Sequence, residues 1–419
     1  VTLQLTDKDQ AMLNGDMGRA SQIAMRILTT MAEVYGANDL LDITSAHIDG
    51  VLYHGLSGLE FVQKLVEANG QVVVPTTLNV GALDLIHPDA FQGTQQVADW
   101  ARQTMFGYEK LGCQPIYTCA PYQTMARPKF GEQIAWAESN AIVFANSVLG
   151  ARTQRYGDFI DICCALTGRA PNAGLHQTEH RRGQLLYQLQ NIPEKLLHED
   201  VLFPVLGYYI GANSGNKIPV IEGLHTNTTE DQLKALGAAT ASSGAVGLFH
   251  AIGITPEAQT FDEAFQGHKP EQIKLITMET LRDTRDKLAT APDGKIDAVA
   301  LGSPHFSIAE FEQLLPLVDE HPPNPDIEFI VCTNRIVLEI LKKRGWLDQL
   351  RSAGVTVIVD TCVVVTPIMR VKHGTLMTNS GKFAHYAPGN IGLSTIYGSL
   401  KECVRSAEIG SVWRDESLW

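Results

Sequence analysis

No apolar run in this chain approaches the ~20 residues that a membrane-spanning helix needs. The opening stretch, Val1-Thr2-Leu3-Gln4-Leu5-Thr6-Asp7-Lys8-Asp9-Gln10, lacks a basic segment followed by an apolar core. The expectation is a soluble cytoplasmic protein with no membrane partner. Positive charge is also scarce: 33 Lys and Arg stand against 46 Asp and Glu, giving a formal net charge of -13. That balance argues against nucleic acid and anionic membranes as partners, although a local group of Arg and Lys would still hold a small anion. The 7 cysteines are odd in number and have no short-spaced framework, which fits reduced thiols or metal ligands better than structural disulfides. No G-x-G-x-x-G follows a clear strand and no G-x-x-x-x-G-K-[ST] occurs, so nucleotide-cofactor readings are weak. No G-x-S-x-G elbow surrounds Ser147, Ser303 or Ser380, which leaves no hydrolase triad.

What is present is ordinary globular composition, 44% hydrophobic and 19% charged, in 419 residues, enough for two or three domains. Residues 6–35 read as helix, with Thr6 as cap and Asp9 three positions on; Gly15 and Gly18 weaken it locally. Apolar strands then deliver polar groups at their ends: Leu41-Asp42-Ile43 before Ser45 and His47, and Val72-Val73-Val74 before Thr76 and Asn79. A short strand bounded by Pro115 and Pro121 carries Cys119, and 134–148 reads as a helix bearing Glu138 and Ser147. Strand, helix, strand recurs over 216–254 and again from Ile296. The fold class is therefore α/β, several packed units with mainly parallel sheets. The expected division is an N-terminal region over 1–255, a connecting segment over 256–293 and a C-terminal region over 294–419.

Two cysteines lie one βαβ unit apart. Ile327 to Cys332 and Val355 to Cys362 are apolar strands ending in a thiol, and 336–350 between them is helix-like, stopped by Ser352-Ala353-Gly354. A right-handed crossover makes such strands parallel, and neighbouring strands stand about 5 Å apart, so both sulfurs can serve one centre at the carboxyl edge of the sheet. Cys119 is the third candidate ligand, whereas Cys163 and Cys164 read as core and Cys113 and Cys403 as inert. His305 follows Gly302-Ser303-Pro304 at another strand end, and Met377 to Tyr386 places Asn379, Ser380, Lys382 and His385 in what reads as one polar loop able to hold a carboxylate or phosphate. The bland readings are a buried cysteine, a core histidine and a polar surface turn.

Several separated motifs, in order, resemble the large subunit of the aconitase X family, a branch of the aconitase superfamily. They are Ser45-Ala46-His47-Ile48-Asp49-Gly50, Thr76-Thr77-Leu78-Asn79, Tyr117-Thr118-Cys119-Ala120-Pro121-Tyr122, Ala135-Trp136-Ala137-Glu138-Ser139-Asn140-Ala141, Asn146-Ser147-Val148-Leu149-Gly150-Ala151-Arg152, Asp360-Thr361-Cys362 and Thr378-Asn379-Ser380-Gly381-Lys382. The resemblance runs from about residue 5 to 405. It implies an aconitase-like multidomain architecture and an iron–sulfur hydro-lyase, with the cluster held by Cys119, Cys332 and Cys362; the cluster's nuclearity is not legible. Gln154 departs from the pattern, where Asn is expected.

Family members dehydrate hydroxy acids, either cis-3-hydroxy-L-proline or mevalonate 5-phosphate, and the first is the expected substrate here. The small swivelling domain of single-chain members is not in these residues, so a separate small subunit is the expected partner. A β-hydroxyl leaves poorly at neutral pH, so a Lewis-acidic iron, a base for the α-proton and groups that hold developing charge are all required. His47, Glu138, Ser380 and Lys382 are the catalytic candidates, with Lys382 also suited to an anion; Ser45, Thr76, Asn79, Ser147, Arg152, His305 and Asn379 are substrate-binding candidates. A reading of another class is a non-catalytic α/β binding subunit with merely buried cysteines, which visible absorption of anaerobically purified protein would distinguish.

Overall fold

The computed structural model describes residues 3–419. Thr6 and Asp9 form the expected capping box on the helix Asp7–Asn14, satisfying two backbone donors at once. That helix stops at Gly15, which adopts the left-handed φ of 94°, and a second helix, Arg19–Tyr35, starts after Gly18 at φ 99°. The single helix expected over 6–35 is thus two, because both glycines take backbone angles that L side chains rarely adopt.

Contacts divide the chain into two units. The first holds the described residues up to Leu83 together with Thr94–Arg182. Its central sheet runs Thr76–Leu78, Ala46–Ile48, Ala135–Trp136, all parallel. A second ladder pairs Leu40–Asp42 antiparallel with Arg169–Pro171. There the Arg169 guanidinium is buried against Asp9 at 2.9 Å and Asp42 at 2.7 Å, and it also donates to the Leu40 carbonyl at 2.7 Å. With each of its nitrogens bonded, this charge ties the first helix to the ladder.

Three local expectations change in this unit. Val72 to Val74 is not a strand; Val73 is 61% exposed, and the paired strand begins at Thr76, opposite Ala46. His47 lies beyond the end of the strand Leu40–Asp42, as expected, but within a second strand, Ala46–Ile48. Residues 115–120 form no regular strand: Tyr117 sits at φ 41°, and the nearest pairing is one bridge from Gln114 to Thr77. The expected 134–148 helix begins as the strand Ala135–Trp136; the Glu138 carboxylate then caps Ser139–Phe144 by accepting the Ala141 N–H at 2.7 Å, and a π-helical turn, Ala145–Leu149, completes it.

The second unit comprises Asp84–Gly93 and Gly183–Trp419. Its larger sheet is wholly parallel, in the order Val355–Ile358, Glu328–Cys332, Ala298–Leu301, Thr375–Thr378, Ser394–Tyr397. Residues 84–93 are fastened to it by reciprocal bonds: Val359 N–H donates to Asp84 at 3.0 Å, and Leu85 N–H to Asp360 at 3.2 Å. The smaller sheet runs His250–Ala251, Pro219–Glu222, Leu185–Leu189, Gln272–Ile276, also parallel. Two-sided burial suits such sheets. The division falls at 182/183, not in the expected 256–293 segment. That segment carries two helices and the strand Gln272–Ile276; its backbone pairing places it in the second unit despite its polar composition.

Candidate active site

Cys332 closes the strand Glu328–Cys332, and its register partner Ile358 closes Val355–Ile358, four residues before Cys362. The crossover between them folds as two helices, Arg335–Lys343 and Trp346–Ser352, separated by Gly345 at φ 73°. Both cysteines are buried in one cluster with Ile358, Val363 and Phe383. The Cys332 thiol hydrogen-bonds the Cys362 sulfur, and this contact is the main reason the Cys362 thiol is lowered to about 7. Burial opposes the shift, while the Val364 N–H, the Lys382 ammonium and Ser303 support it. Cys113, Cys163, Cys164 and Cys403 show the opposite behaviour, since burial pushes each thiol up.

Gly302 stands against this pair. At φ +88° its missing Cβ would lie 2.1 Å from the Cys332 carbonyl oxygen, so no side chain fits there. The Phe306 N–H donates to that same carbonyl at 3.0 Å. His305 is fully buried and its Nε2 lies 3.1 Å from the Thr361 carbonyl. Burial lowers its pKa to about 4, with the Thr361 bond opposing and Lys234 and Lys382 assisting; the ring is neutral at pH 7.

Met377 to Tyr386 is not one loop. Thr375–Thr378 is a strand, Asn379 links, and Ser380 caps the helix Gly381–Asn390 by accepting the Phe383 N–H at 3.0 Å. The Ser380 hydroxyl donates to the Ser303 carbonyl, and Lys382 lies in the first helical turn. Local cap chemistry outweighed the polar composition. Beside Ser303, Asn379 and Ser380 lies a cavity of about 50 Å³, whose far wall includes Lys234 and Glu310. Lys234 is buried, 2.5 Å from Glu310, 2.8 Å from Asp231 and 3.4 Å from the His305 carbonyl. Asp231 stands three positions before it on the same helix, but nothing in the local sequence marked its burial against Glu310, which tertiary packing brings in.

In the first unit His47 is fully buried, with Nδ1 2.8 Å from Thr77 Oγ1. Burial lowers its pKa to about 3 against a hydrogen bond to the Thr118 backbone. Glu138 accepts from the Asn140 side chain at 2.6 Å as well as from Ala141, and Asn140 also donates to the Cys119 carbonyl at 2.6 Å. Asn79 donates to the Asp49 carboxyl, while the Thr76 hydroxyl turns back to the Val74 carbonyl at 2.8 Å. Ser147 is buried in the π-helical turn and Ser45 is half-buried. Arg152 donates to the His176 carbonyl at 3.2 Å and to Thr178 at 2.8 Å. Gln154 accepts the Leu175 N–H at 3.4 Å.

One other group of ligand-type atoms occurs among the described residues. Glu194 lies 3.2 Å from His198 and 3.6 Å from His225 on the surface of the second unit. His225 Nδ1 accepts the Asn227 N–H at 3.3 Å, which keeps the ring proton on the nitrogen facing Glu194. The trio is accordingly a hydrogen-bonded arrangement of surface side chains.

The chain matches the family models for the aconitase X first domain over residues 2–179, second domain over 183–286 and third domain over 296–409. It belongs to the aconitase X family. A cis-3-hydroxy-L-proline dehydratase of Pseudomonas aeruginosa is 42% identical across 95% of this chain and 69% of its own length. The phosphomevalonate dehydratase large subunit of Methanocaldococcus jannaschii is 32% identical over 96% of this chain and 100% of its own. The crystal structure of Thermococcus kodakaraensis aconitase X, holo-form, matches with a TM-score of 0.87 at 32% identity, covering 97% of this chain and 100% of that one. The α/β fold with parallel sheets, expected from the strand and helix pattern, is the aconitase X fold. An iron–sulfur cluster, which the family implies in general, needs thiolates on rigid backbone. The Cys332 and Cys362 pair fits: the two thiols share a hydrogen bond, the backbone beside Cys332 is approached closely by Gly302, and the Cys362 thiol is already lowered toward ionisation. No helix among the described residues is long and apolar enough to cross a membrane.

Proposed function

We propose that this chain is the large catalytic subunit of an iron–sulfur hydro-lyase that removes water from cis-3-hydroxy-L-proline. The observation that carries the substrate is the 42% identity along 95% of the chain to a dehydratase of that name, against 32% for the phosphomevalonate enzyme. Cys332 and Cys362 would hold the cluster, with Cys119 as the third thiolate; when bound, the cluster supplies a Lewis acid for the departing hydroxyl.

The remaining work belongs to the chain's own side chains. Arg152 and Lys382 are assigned to the substrate's carboxylate, the guanidinium by two parallel bonds and the ammonium as a point charge. Ser45, Thr76, Asn79, Ser147, His305 and Asn379 are assigned to orienting polar contacts. Proton transfer falls to His47, Glu138 or Ser380. His305 and His47, both held neutral by burial, would act as hydrogen-bonding groups and not as cations at pH 7. A small swivelling-domain subunit, supported by relatives that are named large subunits, would close the site against water.

A second reading, dehydration of mevalonate 5-phosphate, is favoured by one observation: the chain covers the whole length of an archaeal large subunit of that name. The test is anaerobic turnover of both compounds by the iron-loaded chain, with and without the small subunit. Water loss from cis-3-hydroxy-L-proline only when the subunit is added is expected. Turnover of mevalonate 5-phosphate alone would overturn the substrate, and full activity without the subunit would overturn the two-chain reading.

A further inference from the structure

Four carboxyl groups of the first unit influence one another: Asp49, Glu138, Asp158 and Asp161. Asp49 follows the strand Ala46–Ile48 and is partly exposed beside that strand's end. Its own N–H donates to Asp161 at 2.7 Å, and that of Gly50 does so at 3.5 Å, so Asp161 fixes the turn that presents it. Burial, and then the charges of Glu138, Asp158 and Asp161, raise the Asp49 carboxyl to about 8, with the Asn79 bond opposing. No Lys or Arg among the described residues forms an ion pair with it.

Two buried oxygens around this turn have nothing to bond. The Asn79 amide spends its nitrogen on Asp49, which leaves its Oδ1 buried and without a partner; Asn79 is 3% exposed. The Tyr108 hydroxyl is fully buried and also unpartnered, directly over Gly50, where an added Cβ would meet it at 2.7 Å. An orphaned buried amide oxygen costs ~1–3 kcal/mol, and a pocket that keeps one is suited to a donor from outside. A ligand that offers two N–H bonds and a positive charge answers the carboxyl, the amide oxygen and the surplus of negative groups together.

We propose that Asp49 and Asn79 Oδ1 form the subsite for a secondary ammonium, the ring nitrogen of a cyclic amino acid. This inference rests on the dehydratase reading and deepens it. At neutral pH the ring nitrogen of a hydroxyproline is such a group, whereas a phosphorylated hydroxy acid of the mevalonate type has no nitrogen. Asp49 is then the residue that selects an amino acid. The ammonium is bonded to the carbon that loses its proton, so the subsite also sets which candidate base meets that proton.

The experiment compares wild type, Asp49→Asn and Asp49→Glu as iron-loaded enzyme with the small subunit, by turnover of cis-3-hydroxy-L-proline. It also measures direct binding of L-proline and of tetrahydrofuran-2-carboxylate, which carries a ring oxygen in place of the ammonium. Losing a charge-assisted contact should raise KM roughly 10–100-fold in Asp49→Asn, with kcat changed less than about threefold. L-Proline affinity should fall by the same factor, while the ring-oxygen compound binds wild type weakly and the variant no worse. Because the substitution removes a crowded carboxyl, the variant should unfold at or above the wild-type temperature. Should it still lose iron, Asp49→Glu carries the comparison, keeping the charge and a KM between the two. An unchanged KM, an equal loss for both binding compounds, or L-proline binding that requires sodium and loses that requirement in Asp49→Asn overturns the subsite. If wild type fails to dehydrate cis-3-hydroxy-L-proline yet still prefers L-proline to the ring-oxygen compound in an Asp49-dependent way, the substrate reading fails and the ammonium subsite stands.

Discussion

Replacing Gly302 with alanine tests the architecture behind the cysteine pair. The residue sits at φ +88°, and a Cβ there would lie 2.1 Å from the Cys332 carbonyl oxygen and 2.9 Å from its carbon and nitrogen. These are backbone atoms of a central strand, so no flexible group can swing aside. Left-handed backbone costs a non-glycine residue about 1–2 kcal/mol. Overpacking a fixed neighbour adds about 1–3 kcal/mol, for an expected loss of roughly 2–5 kcal/mol. Gly36→Ala separates the two effects, because Gly36 has φ +69° with nothing within 4 Å of the added Cβ and should lose only the first amount. Urea unfolding of the iron-free chains, followed by tryptophan fluorescence, measures both. Iron uptake of the Gly302→Ala protein should fall as well, since relief of the clash displaces Cys332 and its bond to the Phe306 N–H. An equal loss in the two variants, or full iron binding by Gly302→Ala, would refute the close-approach argument.

Cys362→Ser and Cys332→Ser should each abolish iron binding and visible absorption, measured by metal analysis after anaerobic reconstitution, whereas Cys163→Ser should retain both. Lys234→Met leaves Glu310 and Asp231 facing each other without their cation and should destabilise the chain by about 3 kcal/mol, toward the lower end for a broken buried pair because both acids keep some exposure; adding Glu310→Gln should recover part of that, read from urea midpoints. Stability should also pass through a maximum near neutral pH. Asp49 and Asp161, raised to about 8 and about 7, contribute stability that is present at low pH and lost as pH rises through those values. His47, His176 and His305, lowered to about 3, about 3 and about 4, contribute stability that is lost as pH falls below their unfolded value of 6.5. Thermal melts of the iron-free chain from pH 5 to 9 check this, and Asp49→Asn should remove that residue's loss over the whole window up to about pH 8, steepening the acid limb and flattening the alkaline one.

The chain's local patterns specified the elements that are long or sharply punctuated. Thr6 and Asp9 announced a helix start that the structure keeps, and the two apolar strands around a helix-like crossover placed Cys332 and Cys362 on parallel neighbours, with Cys332 opposite Ile358. The family was equally legible, because its motifs are short runs whose residue types survive without any knowledge of packing. Tertiary structure decided the rest. Strands of two or three residues, such as Ala135–Trp136 and Thr76–Leu78, are too short to show a period, so only their partners reveal them. Residues 84–93 join the second unit through bonds to residues some 275 positions away, and Lys234 meets Glu310 76 positions on; no local window contains such pairs. The raised Asp49 carboxyl and the lowered Cys362 thiol both depend on groups brought close by folding: burial and neighbouring carboxyls raise the first, while the Cys332 thiol lowers the second against burial.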